Sequence, residues 1–220
     1  MKFRSFRLPI FSLYLLLPAS QALAQDSGEP AALDKKVQAF LDRHAGTWHD
    51  LNVPASDGKL LYNLVLTHRY KKALEIGTST GHSGIWIAWA LSKTGGKLIT
   101  IEIDESRHKT AVANFKEAGL SNYIDARLAD AHELVPKLEG PFDFVFCDAD
   151  KGWYKKYFVA VAPKLEVGGC FAAHNVSDRG WGLYGTREFY QYVRGLKNFD
   201  TRIDRSSRAG LSISFKKSEE

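Results

Sequence analysis

The chain has 220 residues, of which 45% are hydrophobic and 25% charged, as expected for a soluble globular protein with one domain behind a short leader. The formal net charge of +5 falls to +2 without Lys2, Arg4 and Arg7. No basic run with interleaved aromatic residues follows, so nucleic-acid binding is not expected.

Residues 1–24 have the layout of a secretory signal peptide. A basic start precedes an apolar stretch at 8–17 that is too short to span a bilayer, and Ala22 and Ala24 offer a small-residue cleavage site. We therefore expect a mature chain over 25–220, exported to the periplasm or secreted, with no stable membrane span after processing. If the leader is not functional, the protein would be cytoplasmic.

Short apolar segments alternate with helical patterns along the rest of the chain. The expected strands lie at 73–76, 97–103, 124–128, 142–147 and 170–173. The expected helices lie at 33–41, 59–67, 83–91, 105–118, 133–138 and 154–165, and 52–58 is interpreted as a turn. Strands this apolar are typical of parallel sheets covered by helices on both faces.

This alternation predicts a doubly wound, Rossmann-like α/β fold. The end of the chain differs, because a helix at 186–196 is followed by strands at 199–204 and 211–216 that should form an antiparallel hairpin. Cys147 and Cys170 are expected to be reduced core thiols, since their positions on neighbouring strands are too far apart for a disulfide.

A glycine-rich turn follows the first strand of this alternation. In an open α/β sheet, ligands bind beyond the carboxyl ends of the strands, where Gly77 would let the backbone approach closely. The helix after Gly81 would present free N–H groups to an anionic group. Glu102, at the tip of the second strand, is placed to accept both hydroxyls of a ribose. A structural turn with a solvated Glu102 is the alternative, and the strict dinucleotide fingerprint is missing.

Four segments in this order resemble the class I S-adenosylmethionine-dependent O-methyltransferases, which include the catechol and caffeoyl-CoA enzymes and their bacterial relatives. The segments are ALEIGTSTGHSGIWIAWAL, LITIEIDESRHKTAVANFKEAGL, FDFVFCDADKGWYKKYF and FAAHNV, and the resemblance covers about residues 50–217. It implies methyl transfer from S-adenosylmethionine to a hydroxyl of a small aromatic acceptor. It also implies a homodimer, since family members often dimerise.

The resemblance assigns a set of cofactor-binding residues, which are Val53, Glu75, Gly77, Ser83, Glu102, Asp130, Ala131 and Asp148. Among these, Glu75, Gly77 and Ser83 would line the methionine end, and Glu102 would take the ribose hydroxyls. Asp130 and Ala131 would lie beside the adenine.

The resemblance also assigns the catalytic group, which contains Lys151 as general base, Asp148 and His174. The family has Asp-Asn at the end of the fifth strand, whereas this chain has His174-Asn175. The metal ligands would then be Asp148, His174 and Asn175, with one carboxylate fewer for magnesium and an imidazole that suits manganese, iron or zinc.

Three interpretations of this departure remain open from the sequence. His174 is a ligand of a divalent metal, or it is the general base of a metal-free site, or catalysis has been lost. Ser206 aligns approximately with a Glu that holds the second hydroxyl in the catechol enzyme, so a catechol acceptor is not implied. Trp153, Trp181 and Tyr184 either wall an aromatic acceptor or pack loops onto the core.

The leader conflicts with the domain, because S-adenosylmethionine is made in the cytoplasm. An exported, non-catalytic domain that binds a small ligand on a methyltransferase scaffold is therefore the second hypothesis. A protein that keeps only the scaffold for interactions is the third, since fold alone does not fix function.

Overall fold

The structure is a computed structural model that describes residues 28–177 and 185–219. The expected signal peptide, Trp181 and Tyr184 lie outside these residues. The helices are α1 (Gly28–Arg43), α2 (Ala55–His68), α3 (His82–Thr94), α4 (Glu105–Ala118), α5 (Ala131–Leu134), α6 (Tyr154–Val161) and α7 (Thr186–Arg194). The strands are β1 (Lys72–Ile76), β2 (Lys97–Glu102), β3 (Ile124–Leu128), β4 (Phe142–Cys147), β5 (Leu165–His174), β6 (Phe199–Asp204) and β7 (Leu211–Lys216).

The seven strands form one sheet in the order β3-β2-β1-β4-β5-β7-β6. Strands β1 to β5 pair in parallel, and β7 pairs antiparallel with both β5 and β6. The chain moves outward from β1 to β3 and then returns to place β4 on the other side of β1. The predicted doubly wound, Rossmann-like fold with an antiparallel C-terminal hairpin is confirmed, and the switch point lies between β1 and β4.

Both faces of the central strands are buried. On β4, Phe144 and Phe146 pack with α1 to α4, whereas Val145 and Cys147 pack with α5 to α7. Cys170 lies on the first of these faces, so the two cysteines point to opposite sides of the sheet, and both are free thiols as predicted. In the described ranges, no helix is both long enough and apolar enough to cross a bilayer.

Helix α2 begins earlier than predicted. The expected turn at 52–58 is wrong from Ala55 onward, because Pro54 takes the N-cap position and the next residues are already helical. Its fixed φ suits the start of a helix, and its missing N–H costs no hydrogen bond there. As a result Asp57 and Gly58 lie on the buried side of the first turn.

Strand β5 is also longer than the expected 170–173. The predicted helix at 154–165 stops at Val161 and continues only as a tight turn over 162–164. Pro163 disfavours helical geometry in the residue before it and has no N–H for the helix ladder. The released chain then pairs with β4 from Leu165.

Replacing Gly58 by Ala tests the packing of α2 on α3. In a solvent-exposed helix, replacing Gly by Ala raises the free energy of unfolding by about 1 kcal/mol. Here a Cβ would overlap the Trp86 indole, which is hydrogen bonded to His82. Overpacking costs about 1–3 kcal/mol, so we expect a net loss of stability in urea denaturation. Asn63→Ala on the exposed face of α2 is the control, and equal stability of the two variants would contradict this packing.

Candidate active site

A cavity of about 600 Å³ lies beyond the carboxyl ends of β1 to β5. This position follows from the switch point of the sheet. The predicted site residues that line the cavity are Gly77, Ser83, Glu102, Asp130, Ala131, Asp148, Lys151, His174 and Asn175. Most of the residues singled out from the sequence are therefore brought to one place.

The turn after β1 approaches the end of β4 very closely. Gly77 has a φ of +98°, and a Cβ built on it would lie 2.7 Å from the carbonyl oxygen of Asp148. Only glycine fits this conformation and this contact. The backbone N–H groups of Gly77 and Thr78 both donate to the Ile101 carbonyl at 3.1 Å, which fixes the turn against β2.

Glu75, one residue before the end of β1, is completely buried and is not among the residues that line the cavity. Burial raises the pKa of its carboxyl group to about 7, although hydrogen bonds from Ser83 and Thr100 oppose that shift. The Thr100 hydroxyl donates to Oε2 at 2.5 Å, whereas Oε1 has no partner among the described residues.

Glu102 is held in place by three backbone donors. Its Oε2 accepts from the N–H of Ser79 at 2.7 Å, and its Oε1 accepts from Ile103 at 3.1 Å and Asp104 at 3.0 Å. A carboxylate has about four acceptor positions, so this one retains capacity for a ligand. The side chain therefore points into the cavity as a fixed acceptor.

Asp130 and Ala131 begin helix α5 on the opposite wall. Asp130 caps the helix by accepting from the N–H of His132 at 2.8 Å. The His132 ring lies between Asp130 and Asp150, at 3.2 and 3.3 Å, with its centroid 4.0 Å from that of Trp153. His132 also lines the cavity, and the sequence analysis missed it. Trp153 packs against His132, which agrees with the second role expected for it, packing of a loop onto the core.

The segment before α2 covers one side of the cavity. Leu51 and Asn52 line it, whereas Val53 is buried outside it and accepts from Nδ1 of His82 at 2.8 Å. Asp50 binds Arg107 through two hydrogen bonds of 2.8 and 2.9 Å. This ion pair holds the covering segment onto α4.

Four charged side chains meet at the other end of the cavity. Nδ1 of His174 lies 3.1 Å from Oδ2 of Asp148, and Nε2 of His174 lies 2.9 Å from Oδ2 of Asp57. Nζ of Lys151 donates to Oδ1 of Asp148 at 2.5 Å. The His174 and Asp57 side chains are only 6% and 2% exposed. We call Asp57, Asp148, Lys151 and His174 the ion cluster.

The two carboxylates determine the charge of His174. Burial alone would lower the pKa of its ring, but hydrogen bonds and charge from Asp148 and Asp57 raise it to about 9. Burial would likewise raise the pKa of Asp57, but hydrogen bonds from His174 and Ser207 outweigh it and hold the pKa below the ordinary value. With a carboxylate oxygen facing each of its ring nitrogens, the site favours the imidazolium form of His174 at neutral pH. The sequence analysis missed Asp57, because 52–58 was interpreted as a turn.

The ion cluster does not fit the metal ligands expected from the resemblance. Both ring nitrogens of His174 and both oxygens of Asp148 already face partners of opposite charge. Within 28–177 and 185–219, no group of three or more His, Cys, Asp or Glu side chains is arranged to hold a metal ion. A ring with two N–H donors also has no lone pair with which to act as a general base.

The loop between β6 and β7 reaches the cluster through Ser207. The hydroxyl of Ser207 donates to Oδ2 of Asp57 at 2.7 Å. Ser206, which the sequence alignment placed there, is exposed and turns instead to Asp204 at 2.6 Å. The approximate alignment was therefore one residue away from the side chain that reaches the site.

A family model described as O-methyltransferase matches residues 24–214. The chain belongs to the O-methyltransferase family. The resemblance stated from the sequence is thereby confirmed.

Curated relatives of this O-methyltransferase agree with the match. A catechol O-methyltransferase from Niastella koreensis is 38% identical over 167 residues, which cover 74% of this chain and 75% of that protein. Caffeoyl-CoA O-methyltransferase 1 from Eucalyptus globulus is 30% identical over 185 residues, covering 81% and 74%.

Solved structures give the same result for this O-methyltransferase. TomG from Streptomyces achromogenes, solved in complex with SAM, is 28% identical with a TM-score of 0.67, covering 85% of this chain and 90% of that one. An O-methyltransferase from Bacillus cereus in complex with SAH is 25% identical with a TM-score of 0.68, covering 85% and 91%.

The ion cluster makes the stability of this O-methyltransferase depend on pH. The folded pKa of His174, about 9, lies above the ordinary value of about 6.5. The stability that protonated His174 contributes is therefore fully present below about pH 6.5. It is lost as pH rises through about 9, which lowers the free energy of unfolding by about 3 kcal/mol.

Urea denaturation at the two ends of this pH range measures the loss. Because other groups titrate there too, the informative quantity is the difference between the wild type and His174→Gln. The variant should lose less stability than the wild type as pH rises. Equal losses in both proteins would contradict the assignment of a charged His174.

Proposed function

We propose that this chain is an S-adenosylmethionine (SAM)-dependent methyltransferase that acts on a phenolic hydroxyl of a small aromatic acceptor. The observation that carries the proposal is the cavity beyond the switch point of the sheet, where Glu102, held by three backbone donors, lies together with Gly77 and Ser83. SAM would offer its ribose hydroxyls to Glu102 and its carboxylate to the N-terminal turn of α3, where Ser83 lies. TomG and the Bacillus cereus protein, of the same fold, bind SAM and SAH.

The close approach at Gly77 supports the same cofactor. Because Gly77 has no side chain, the turn after β1 leaves the cavity open there, and Gly77 and Ser83 would hold the methionine end of the cofactor. Ser83 is in the first turn of α3, where the free N–H groups of a helix favour a carboxylate. The sulfonium methyl would then face Asp148 and Lys151.

The chemistry needs an oxygen aligned with that methyl group and a route for its proton. SAM would supply an activated methyl group, whose bond to sulfur would break, with the electron pair going to sulfur, as the acceptor oxygen bonds to the methyl carbon. Lys151, which lines the cavity, is the side chain that we assign to receive the hydroxyl proton. Since Lys151 donates to Asp148, it must first release a proton to solvent before its nitrogen can accept the proton of the hydroxyl.

The aromatic acceptor is inferred from the relatives. The curated relatives are named for catechol and caffeoyl-CoA, both of which carry phenolic hydroxyls. The exported, non-catalytic alternative is not favoured, because the cavity keeps Gly77, Ser83 and Glu102 together with Asp148 and Lys151.

Glu102→Ala should weaken SAM binding by at least tenfold. Loss of hydrogen bonds to a charged acceptor costs about 1.5–3 kcal/mol each. Isothermal titration of residues 25–220 measures the change, with Glu105→Ala, an exposed acid on α4, as the matched control. Unchanged affinity in Glu102→Ala would remove the ribose assignment.

Lys151→Met should lower the rate of methyl transfer by about 10²–10⁴-fold, since it removes the proton acceptor. Its affinity for SAM should stay within a few-fold of the wild type, because the substitution leaves Glu75 and Glu102 in place. Lys155→Met is the control, as Lys155 is on the exposed side of α6 and pairs with Glu188 at 2.9 Å. Wild-type rates in Lys151→Met, measured by SAH release over a panel of phenols, would refute the role.

A further inference from the structure

We propose that His174 is a built-in cation that takes the place of a divalent metal at the acceptor end of the cavity, so that methyl transfer here needs no metal and only one acceptor hydroxyl. The inference rests on the proposed function for its consequences. Its structural basis is the ion cluster, which stands on distances between described atoms.

The geometry around the His174 ring fixes its hydrogens. Each ring nitrogen faces one carboxylate oxygen, at 2.9 Å for Asp57 and 3.1 Å for Asp148. Ionised carboxylates only accept hydrogen bonds, so both nitrogens must donate. A ring that donates from both nitrogens has no lone pair left for a metal ion.

Asp148 is equally occupied. Its Oδ2 accepts from His174, and its Oδ1 accepts from Lys151 at 2.5 Å. A metal ion at this carboxylate would have to displace one of two cations. The best-placed oxygen ligand of the expected site is therefore already neutralised by the chain itself.

The charges of the ion cluster explain why having His instead of Asp at position 174 would remove the need for a metal ion. With His174, the two carboxylates Asp57 and Asp148 are balanced by the imidazolium and by Lys151. With the Asp that the family pattern places at 174, three carboxylates would face one lysine. That excess is the charge that a divalent cation neutralises, and hard cations prefer such oxygen ligands.

The fold holds the imidazolium rigidly. The Tyr154 hydroxyl donates to the His174 carbonyl at 3.1 Å, and Ser207 donates to Asp57 at 2.7 Å. The side chain of Asp148 is only 10% exposed, so the ion pairs lie away from water. Removing one member of a buried charge pair is far more costly than removing an exposed one, so the arrangement is fixed before the acceptor arrives.

This arrangement makes His174 a positioning residue. Its ring nitrogens do not face the acceptor but hold Asp148, which in turn holds Lys151 beside the cavity. Without a metal ion to bind two neighbouring oxygens, one phenolic hydroxyl is enough for alignment. The acceptor class therefore includes phenols with a single hydroxyl as well as those with two.

Manganese binding tests whether His174 takes the place of the metal, and it needs no transfer reaction. It is measured by electron paramagnetic resonance of the protein with SAH. We expect no stoichiometric manganese binding by the wild type and binding by His174→Asp, which restores three carboxylates. His174→Asn is the matched control, because Asn has the size of Asp without its charge, and this variant should not bind manganese. Circular dichroism checks that each variant is folded.

Stoichiometric manganese binding by the wild type, lost in Asp148→Asn, would overturn the proposal. A folded His174→Asp protein that binds no manganese would also contradict it, because the missing charge would not have been what excluded the metal. Absence of SAM binding would instead overturn the proposed function and leave the manganese results interpretable.

Transfer assays provide the second readout. With a chelator present, we expect an unchanged rate and kcat/KM values within about tenfold for a phenol and its matched ortho-dihydroxy analogue. Loss of activity with the chelator, restored by manganese or magnesium, would refute the proposal, as would strict dependence on the second hydroxyl.

Discussion

The contact between His174 and its two carboxylates joins three parts of the chain that are distant in sequence. Asp57 is in the first turn of α2, Asp148 follows β4, and His174 ends β5. Unpaired charges are too costly to bury, so each of these three side chains can be buried only because the others are present. The bridge therefore fixes where α2 lies relative to the centre of the sheet, and with it the segment that covers the cavity.

The two ends of the cavity are prepared in different ways. At the cofactor end, backbone N–H groups aim Glu102, and burial leaves Glu75 with an oxygen that has no donor among the described residues. At the acceptor end, the four charges of the ion cluster satisfy one another. The cofactor end thus keeps acceptor capacity at Glu102 for a ligand, whereas the charges at the acceptor end are balanced and hold Lys151 and Asp148 in position.

The sequence predicts the fold well because its signals are local. Apolar runs of strand length, Gly119 after α4 and the hairpin at the end each depend on neighbouring residues, and the structure shows them where expected. The turn at Gly77 and the acid at Glu102 also carry their own signal, since Gly77 directly follows β1 and Glu102 is the last residue of β2. These two features placed the cavity correctly.

The rest of the site depends on contacts that no local pattern reports. Asp57 contacts both His174 and Ser207 across more than a hundred residues, and the proline and glycine around Asp57 obscured the start of α2. His174 itself was noticed only as a departure from the family pattern, and its role depended on partners that the sequence does not identify. The sequence therefore leaves three possible roles for His174. The distances from its two ring nitrogens to Asp57 and Asp148 favour a fourth role, that of a permanently protonated side chain.

Nitrogen-15 NMR of the histidine rings at neutral pH tests that charge most directly. Of the seven histidines in the chain, the signal absent from His174→Asn identifies His174. We predict that both of its ring nitrogens carry a proton and exchange it slowly with water, as in a buried imidazolium. A neutral ring with one bare nitrogen would contradict the account, because that nitrogen would be free to bind a metal ion or to accept a proton.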